Sequence, residues 1–189
     1  MNDLMRYAAD LEGAGGKSLP PVHLWNPEFC GDINLVIKRD GTWFYEGTPI
    51  GRARLVRLFS TVLKREGGQY FLVTPVEKLG IIVEDTPFVA VLMRTKGDGE
   101  GQTLYFTTNV GDEVCAGADH KLVFRKDDET DERAPYIEVR AGLEARVARS
   151  VFYDLVELGE TKEIEGSQMF GVWSGGEFFP FSPAEDVFE

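Results

Sequence analysis

Residues 33–74 read INLVIKRDGTWFYEGTPIGRARLVRLFSTVLKREGGQYFLVT. This stretch sets strand, turn, helix and strand in succession. Ile33-Asn34-Leu35-Val36-Ile37 is apolar and β-branched, Asp40-Gly41 tolerates the positive φ of a tight turn, and Thr42-Trp43-Phe44-Tyr45 runs back, which predicts a hairpin. After Gly47-Thr48-Pro49, the residues Leu55, Val56, Phe59, Val62 and Leu63 recur at helical spacing. A first helix is therefore expected over about residues 50–66, with Gly67-Gly68 as its stop. Tyr70–Thr74 then returns to β character.

From there to residue 140 the chain reads as further strands at Leu79–Glu84, Phe88–Arg94, Thr103–Thr108, Leu122–Phe124 and Tyr136–Arg140, separated by turn chemistry. Gly97-Asp98-Gly99-Glu100-Gly101 lies between two strands and opens no helix, so it reads as a hairpin loop and not as a phosphate cradle. The acidic run Asp127-Asp128-Glu129 with Asp131-Glu132 reads as a solvated loop. A second amphipathic helix is expected over about residues 143–158, with Val147, Val151, Leu155 and Leu158 on one face and Gly159 at its end. Met169–Trp173, the turn Ser174-Gly175-Gly176 and Glu177–Phe181 form a closing hairpin. A shift of about 93 positions lays Leu58-Phe59 on Val151-Phe152, and Tyr70–Glu77 parallels Phe178–Glu185 down to the hydroxyl, Pro and Glu. The expected fold is thus α+β, mostly antiparallel, made of two related strand-helix-strand units. Residues 1–19 form an appendage, with units at 20–86 and 87–189.

Composition bounds the function. A chain of 189 residues with 43% apolar and 28% charged residues folds as a globular protein. The formal net charge of -12 argues against a duplex nucleic-acid surface. No apolar run reaches the roughly 20 residues that cross a bilayer, and Asp3, Asp10 and Glu12 stand where a signal peptide would be apolar. A cytoplasmic location and no membrane partner are expected. In the appendage Leu4, Met5, Ala8 and Leu11 suggest one or two helical turns. Gly13 to Ser18 is no Walker loop, since Leu11 stands where its first Gly belongs. Cys30 and Cys115 are far apart and outside any C-x-x-C spacing, so they read as reduced thiols. With His23 and His120 they lack zinc-ligand spacing, and no metal or cofactor is expected.

On a helical wheel Arg52 falls in the middle of the stripe formed by Leu55, Val56, Phe59 and Leu63. An inward guanidinium needs a counter-charge. That is either a protein carboxylate such as Asp32, Asp40 or Glu77, or the phosphate or carboxylate of a ligand at the helix N-terminus. Arg140, Arg146, Arg149 and Tyr153 form a second basic patch around the second helix, and read either as a solvated face or as part of a cleft. Tyr45, Trp43, Tyr153 or Trp173 offers a ring to stack. Neither His lies beside a credible nucleophile, and no H-x-x-H, H-E-x-x-H or G-x-S-x-G spacing occurs, which disfavours an enzyme.

Further stretches carry a family likeness: Trp25-Asn26-Pro27, Cys30-Gly31-Asp32, Gly47-Thr48-Pro49-Ile50-Gly51-Arg52, Leu72-Val73-Thr74-Pro75-Val76-Glu77, Val83-Glu84-Asp85-Thr86-Pro87-Phe88, Leu143-Glu144-Ala145-Arg146-Val147-Ala148-Arg149 and Gly171-Val172-Trp173-Ser174. From about residue 20 onward the chain resembles the bacterial domain-of-unknown-function family 1285. The resemblance implies a duplicated fold whose C-terminal half is loosely pleckstrin-homology-like. It also implies a nucleotide-like ligand between the halves and a role in signal transduction with a signalling protein partner. By this likeness Arg52 belongs to a Pro-Ile-x-Arg motif, Thr74 and Glu77 to a Thr-Pro-x-Glu motif, and Arg140, Arg146 and Arg149 to a second-helix motif. Thr48 departs from an expected Ser but keeps the hydroxyl. The expectation is a non-enzymatic module for a small anionic ligand, contacted by Arg52, Tyr45, Thr74, Glu77, Arg140, Arg146, Arg149, Tyr153 and Trp173. The alternative is a protein-protein interaction module without one.

Overall fold

A computed structural model describes residues 8–9, 19–127, 130 and 133–186. The helical turns expected near the N-terminus and the Gly13–Ser18 stretch lie outside the described residues, apart from Ala8-Ala9. The chain divides between Pro87 and Phe88 into two units.

The first unit holds β1 (Phe29–Ile37), β2 (Trp43–Tyr45), β3 (Thr48–Pro49), helix α1 (Ala53–Ser60), β4 (Leu63–Glu66), β5 (Gln69–Val73) and β6 (Lys78–Val83). The strands form one sheet in the order β3-β2-β1-β6-β5-β4. Every pair is antiparallel except β1 with β6, which run parallel. Two three-stranded meanders are thus joined along a central parallel seam. Strand alternation puts Leu35, Ile37, Trp43 and Leu72 on one face, all buried, and Phe59 and Val62 complete the core.

The second unit repeats this order. Strands β7 (Phe88–Lys96), β8 (Thr103–Thr108), β9 (Glu113–Cys115), β10 (Leu122–Lys126), β11 (Arg133–Arg140) and β12 (Leu143–Val147) lie as β10-β11-β12-β7-β8-β9, again with a parallel seam, β7 on β12. Helix α2 (Arg149–Glu157) follows, buries Val151 and Leu155, and leads to a three-stranded sheet of β13 (Glu160–Ile164), β14 (Ser167–Ser174) and β15 (Glu177–Pro183). The duplication is one of strand order, β1–β6 on β7–β12. The shift of about 93 positions was misleading: α1 sits between the two meanders of its unit and α2 after both, while β5 is a meander strand and β15 belongs to the extra sheet. An amphipathic helix aligns with any other, and a hydroxyl-Pro strand end is common turn chemistry. In the C-terminal unit α2 is not the last element, since three strands follow it.

Both helices are shorter than expected, for local reasons. Val62-Leu63 fits the helical period, but the chain leaves the helix at Thr61, and Leu63 pairs with Leu72 in β4. Gly67 (φ 55) and Gly68 (φ 82) then form a two-residue hairpin turn instead of a helix cap. Likewise Leu143, Ala145 and Val147 are buried in alternation with Glu144 and Arg146, the period of a strand. Val147 fits both periods, which is why β12 reads as helix. Its hairpin turn has both residues left-handed, Ala141 (φ 46) and Gly142 (φ 75). An alanine there is strained by roughly 1 kcal/mol or more.

On the opposite face of the first sheet Phe71 and Val73 are covered by the turn at Val22–Leu24 and by Trp25. Lys64 Nζ donates to Trp25 O (2.9 Å) and pairs with Glu66, as does Lys78. These hydrogen bonds hold the Glu66 carboxyl below its ordinary pKa. In the second unit the buried Ser174 hydroxyl donates to Ala116 O (2.7 Å) and accepts from Leu104 N (2.9 Å), while Gln102 Nε2 donates to Trp173 O (2.9 Å). These bonds stitch β14 to β8. The rings of Phe124 and Phe181 lie 3.8 Å apart, with Phe152 and Phe170 against them, where β10, α2, β14 and β15 meet.

Three outcomes follow. Ser174→Ala strands a buried N–H and a buried carbonyl and costs about 2–3 kcal/mol in urea unfolding; a loss indistinguishable from zero would mean the bonds are not formed. Ala141→Gly relieves the left-handed strain and gains about 0.5–1 kcal/mol, while a loss would place Ala141 in another conformation. Because the pKa of Glu66 is lowered in the fold, its contribution is present above the ordinary Glu value and is lost as pH falls through the lowered one. The difference in urea midpoint between wild type and Glu66→Gln therefore closes on acidification; a difference that stays constant or grows there would exclude it.

Candidate functional site

Arg52 does not face the core. The helix begins at Ala53, one residue after Arg52, whose backbone is extended (φ -94, ψ 98). A side chain at that cap position leaves the helical wheel that had placed it in the apolar stripe. Arg52 is exposed, and among the described residues neither it nor Arg57 has a carboxylate partner. The other basic side chains of this unit include Lys38 paired with Glu84, Arg39 with Asp85, and Lys64 and Lys78 with Glu66. Among the described residues the start of α1 has no side-chain cap, and its first turn holds no acidic residue to balance the electropositive end.

Thr74 and Glu77 share one tight turn. Thr74 Oγ1 accepts from Glu77 N (3.0 Å), and Thr74 N donates to Glu77 O (2.8 Å). This closes the β5–β6 hairpin beyond the Val73–Lys78 pair and explains the Thr-Pro-x-Glu motif as turn chemistry. Tyr45 is half-buried in β2 opposite the buried Leu35.

In the second unit Arg140 and Arg146 find their counter-charges within the unit. Arg140 pairs with Asp112 and lies over the Phe88 ring at 5.0 Å. Arg146 sits on β12, not on a helix, and pairs with Asp127. Asp127 is itself 2% exposed, so the acidic run does not begin as a solvated loop; an inward arginine needed its charge. Asp128, Glu129, Asp131 and Glu132 lie outside the described residues. Across the same face Arg125 stacks on Tyr136 at 3.6 Å and reaches Glu144 with two bonds of 2.8 and 2.9 Å. The patch expected around α2 therefore splits. Arg146 belongs to a sheet network, and on the helix Arg149 Nε donates to the hydroxyl of the exposed Tyr153 (2.9 Å). Trp173 is half-buried on β14 against Phe178 (5.3 Å), with Lys162 Nζ 4.0 Å above its ring.

One feature escaped the sequence reading because it exists only in the sheet register. On the face away from the core, Pro49 pairs with Phe44, Phe44 with Val36, and Val36 with Ile82. The result is an apolar row across β3, β2, β1 and β6. Ile82 is 58% exposed, Pro49 is exposed, and Val36 and Phe44 are half-buried. The same face is covered at β5 by Val22 and Trp25.

The comparisons with known proteins agree with the division of the chain. Residues 20–86 match the model described as Domain of unknown function (DUF1285), N-terminal domain, and residues 87–181 that of Protein of unknown function (DUF1285), C-terminal domain. Among curated proteins none matches. A solved DUF1285 family protein from Silicibacter pomeroyi DSS-3 is 51% identical with a TM-score of 0.90, covering 98% of each chain. Another, from Shewanella baltica OS155, is 27% identical with a TM-score of 0.51, covering 65% of this chain and 90% of that one. With both halves matched in order and a relative superimposing over almost its full length, the chain belongs to the DUF1285 family.

Proposed function

We propose that this chain is a non-enzymatic, cytoplasmic binding module that docks a partner protein on the outward face of its first sheet. The observation that carries this is the Pro49–Phe44–Val36–Ile82 row. The solvent face of such a sheet is ordinarily polar, and an apolar row left partly exposed, as Pro49 and Ile82 are, is the usual mark of an interaction surface. Four strands at about 4.8 Å spacing make a flat span of roughly 14 Å, which suits a protein segment better than a small molecule. Arg52 follows Pro49 by three residues, within about 10 Å along the chain, so the fitting segment combines apolar side chains with carboxylates. No described helix is long and apolar enough to cross a membrane. A relay in bacterial signal transduction, as the family likeness implies, fits a module of this kind.

A second reading keeps the small anionic, nucleotide-like ligand. It is favoured by Arg52 and Arg57, which have no carboxylate partner among the described residues, and by the start of α1, which has no side-chain cap and where helix dipole and guanidinium both attract a phosphate.

Photo-crosslinking separates the two. A crosslinker at position 82 in intact cells captures one partner, a crosslinker at position 153 does not, and the variant Arg52→Glu loses that capture. Equal capture from both positions, or indifference to Arg52, contradicts the docking reading. ATP, cyclic AMP and cyclic di-GMP titrated against tryptophan fluorescence test the other. It requires a saturable change that Arg52→Met abolishes while stability stays within about 0.5 kcal/mol, as for an exposed site; no saturable change with any of the three excludes it for these ligands.

A further inference from the structure

The three-stranded sheet buries one face and turns the other outward. Pairing of Lys162 with Met169, Met169 with Pro183, and Trp173 with Phe178 sets these side chains on the outward face, while Phe170, Val172 and Ser174 point into the core. Trp173 and Phe178 meet edge to face, with centroids 5.3 Å apart and planes at 65°. This corner is built into the backbone. A Cβ at Gly171 would come within 2.8 Å of the Phe178 ring and 2.3 Å of Phe179 O, so only glycine lets the ring lie there. Gln102 fixes the Trp173 strand from the other side.

The corner already holds a cation. Lys162 Nζ lies 4.0 Å from the Trp173 centroid and 5.5 Å from that of Phe178. Glu160 is two residues away and Glu163 adjacent, yet among the described residues the ammonium has no carboxylate partner. Its seat is aromatic. The surrounding charge favours cations as well: residues 88–189 hold 21 Asp and Glu against 10 Lys and Arg, whereas residues 20–87 hold eight of each. Such a field draws positive ligands toward the unit.

We propose that the Trp173–Phe178 corner is a recognition site for a lysine or arginine side chain of a basic peptide segment, and that Lys162 occupies it in the free protein. An exposed ammonium on aromatic rings is held weakly, and its release restores side-chain freedom, so exchange with an incoming cation costs little. An arginine stacks on the indole more favourably than the lysine it displaces. The inference stands on the C-terminal unit alone and does not depend on what binds the first sheet.

Tetramethylammonium chloride is the direct probe, because it offers a cation without hydrogen bonds; sodium chloride at equal ionic strength is the control. Lys162→Ala removes the resident ammonium from an exposed position and leaves the fold intact. In that variant the probe shifts the Trp173 indole N–H resonance saturably, about two- to fivefold more tightly than in wild type. A hexa-arginine peptide competes with it, and the resonances of Trp25 and Trp43 stay in place. Phe178→Leu on the Lys162→Ala background keeps an apolar side chain and weakens the response. The proposal is overturned if Lys162→Ala shows no saturable shift, if sodium chloride reproduces the shift, or if Phe178→Leu leaves it unchanged.

Discussion

Each six-stranded sheet depends on one long-range event, the parallel pairing of its first strand with its last. In the first unit Val36 meets Ile82 and Ile37 meets Val83; in the second Phe88 meets Ala145 and Ala90 meets Val147. Meanders form locally, from turns and loops of two to six residues, but a three-stranded ribbon has little core of its own. Joining two of them edge to edge closes a long loop, an entropic cost offset by burying the central strands. Leu35, Ile37, Phe88, Ala90 and Ala145 are all completely buried, as strands at the seam require.

That seam also sets which faces of the first sheet must be covered. A sheet needs one covered face to be stable, and in the first unit α1 and the following turn supply Phe59 and Val62 to the core. Among the described residues the other face is covered at Phe71 and Val73. The apolar row beyond them keeps Pro49 and Ile82 exposed and Val36 and Phe44 half-buried. The arginine network of the second unit shows the contrast: Arg146 with Asp127 and Arg140 with Asp112 satisfy charge internally, as buried or half-buried guanidinium groups must.

Local chemistry was legible in the sequence and long-range pairing was not. The Asp40-Gly41 turn forms as its residues dictate, with Thr42 N donating to Asp40 Oδ1 (2.8 Å), and Thr103–Thr108 is the strand that its alternation predicts. Two readings failed where one residue satisfies two patterns, Val147 in strand and helix, and Gly67-Gly68 in hairpin and helix cap. Arg52 failed on a single residue of helix boundary, enough to turn its side chain from core to solvent. The apolar row was invisible because Pro49, Phe44, Val36 and Ile82 become neighbours only once the register is set, and the pairing of Asp127 with Arg146 spans 19 residues and two strands.

Native-state amide hydrogen exchange tests the seam most directly. If parallel closure holds each unit together, amides of β1 with β6 and of β7 with β12 exchange last, and only through unfolding of their whole unit. Edge strands β3, β4, β9 and β10 exchange earlier by local opening. Seam amides that exchange as fast as those of the edges would contradict the account, since each meander would then be folding without the other.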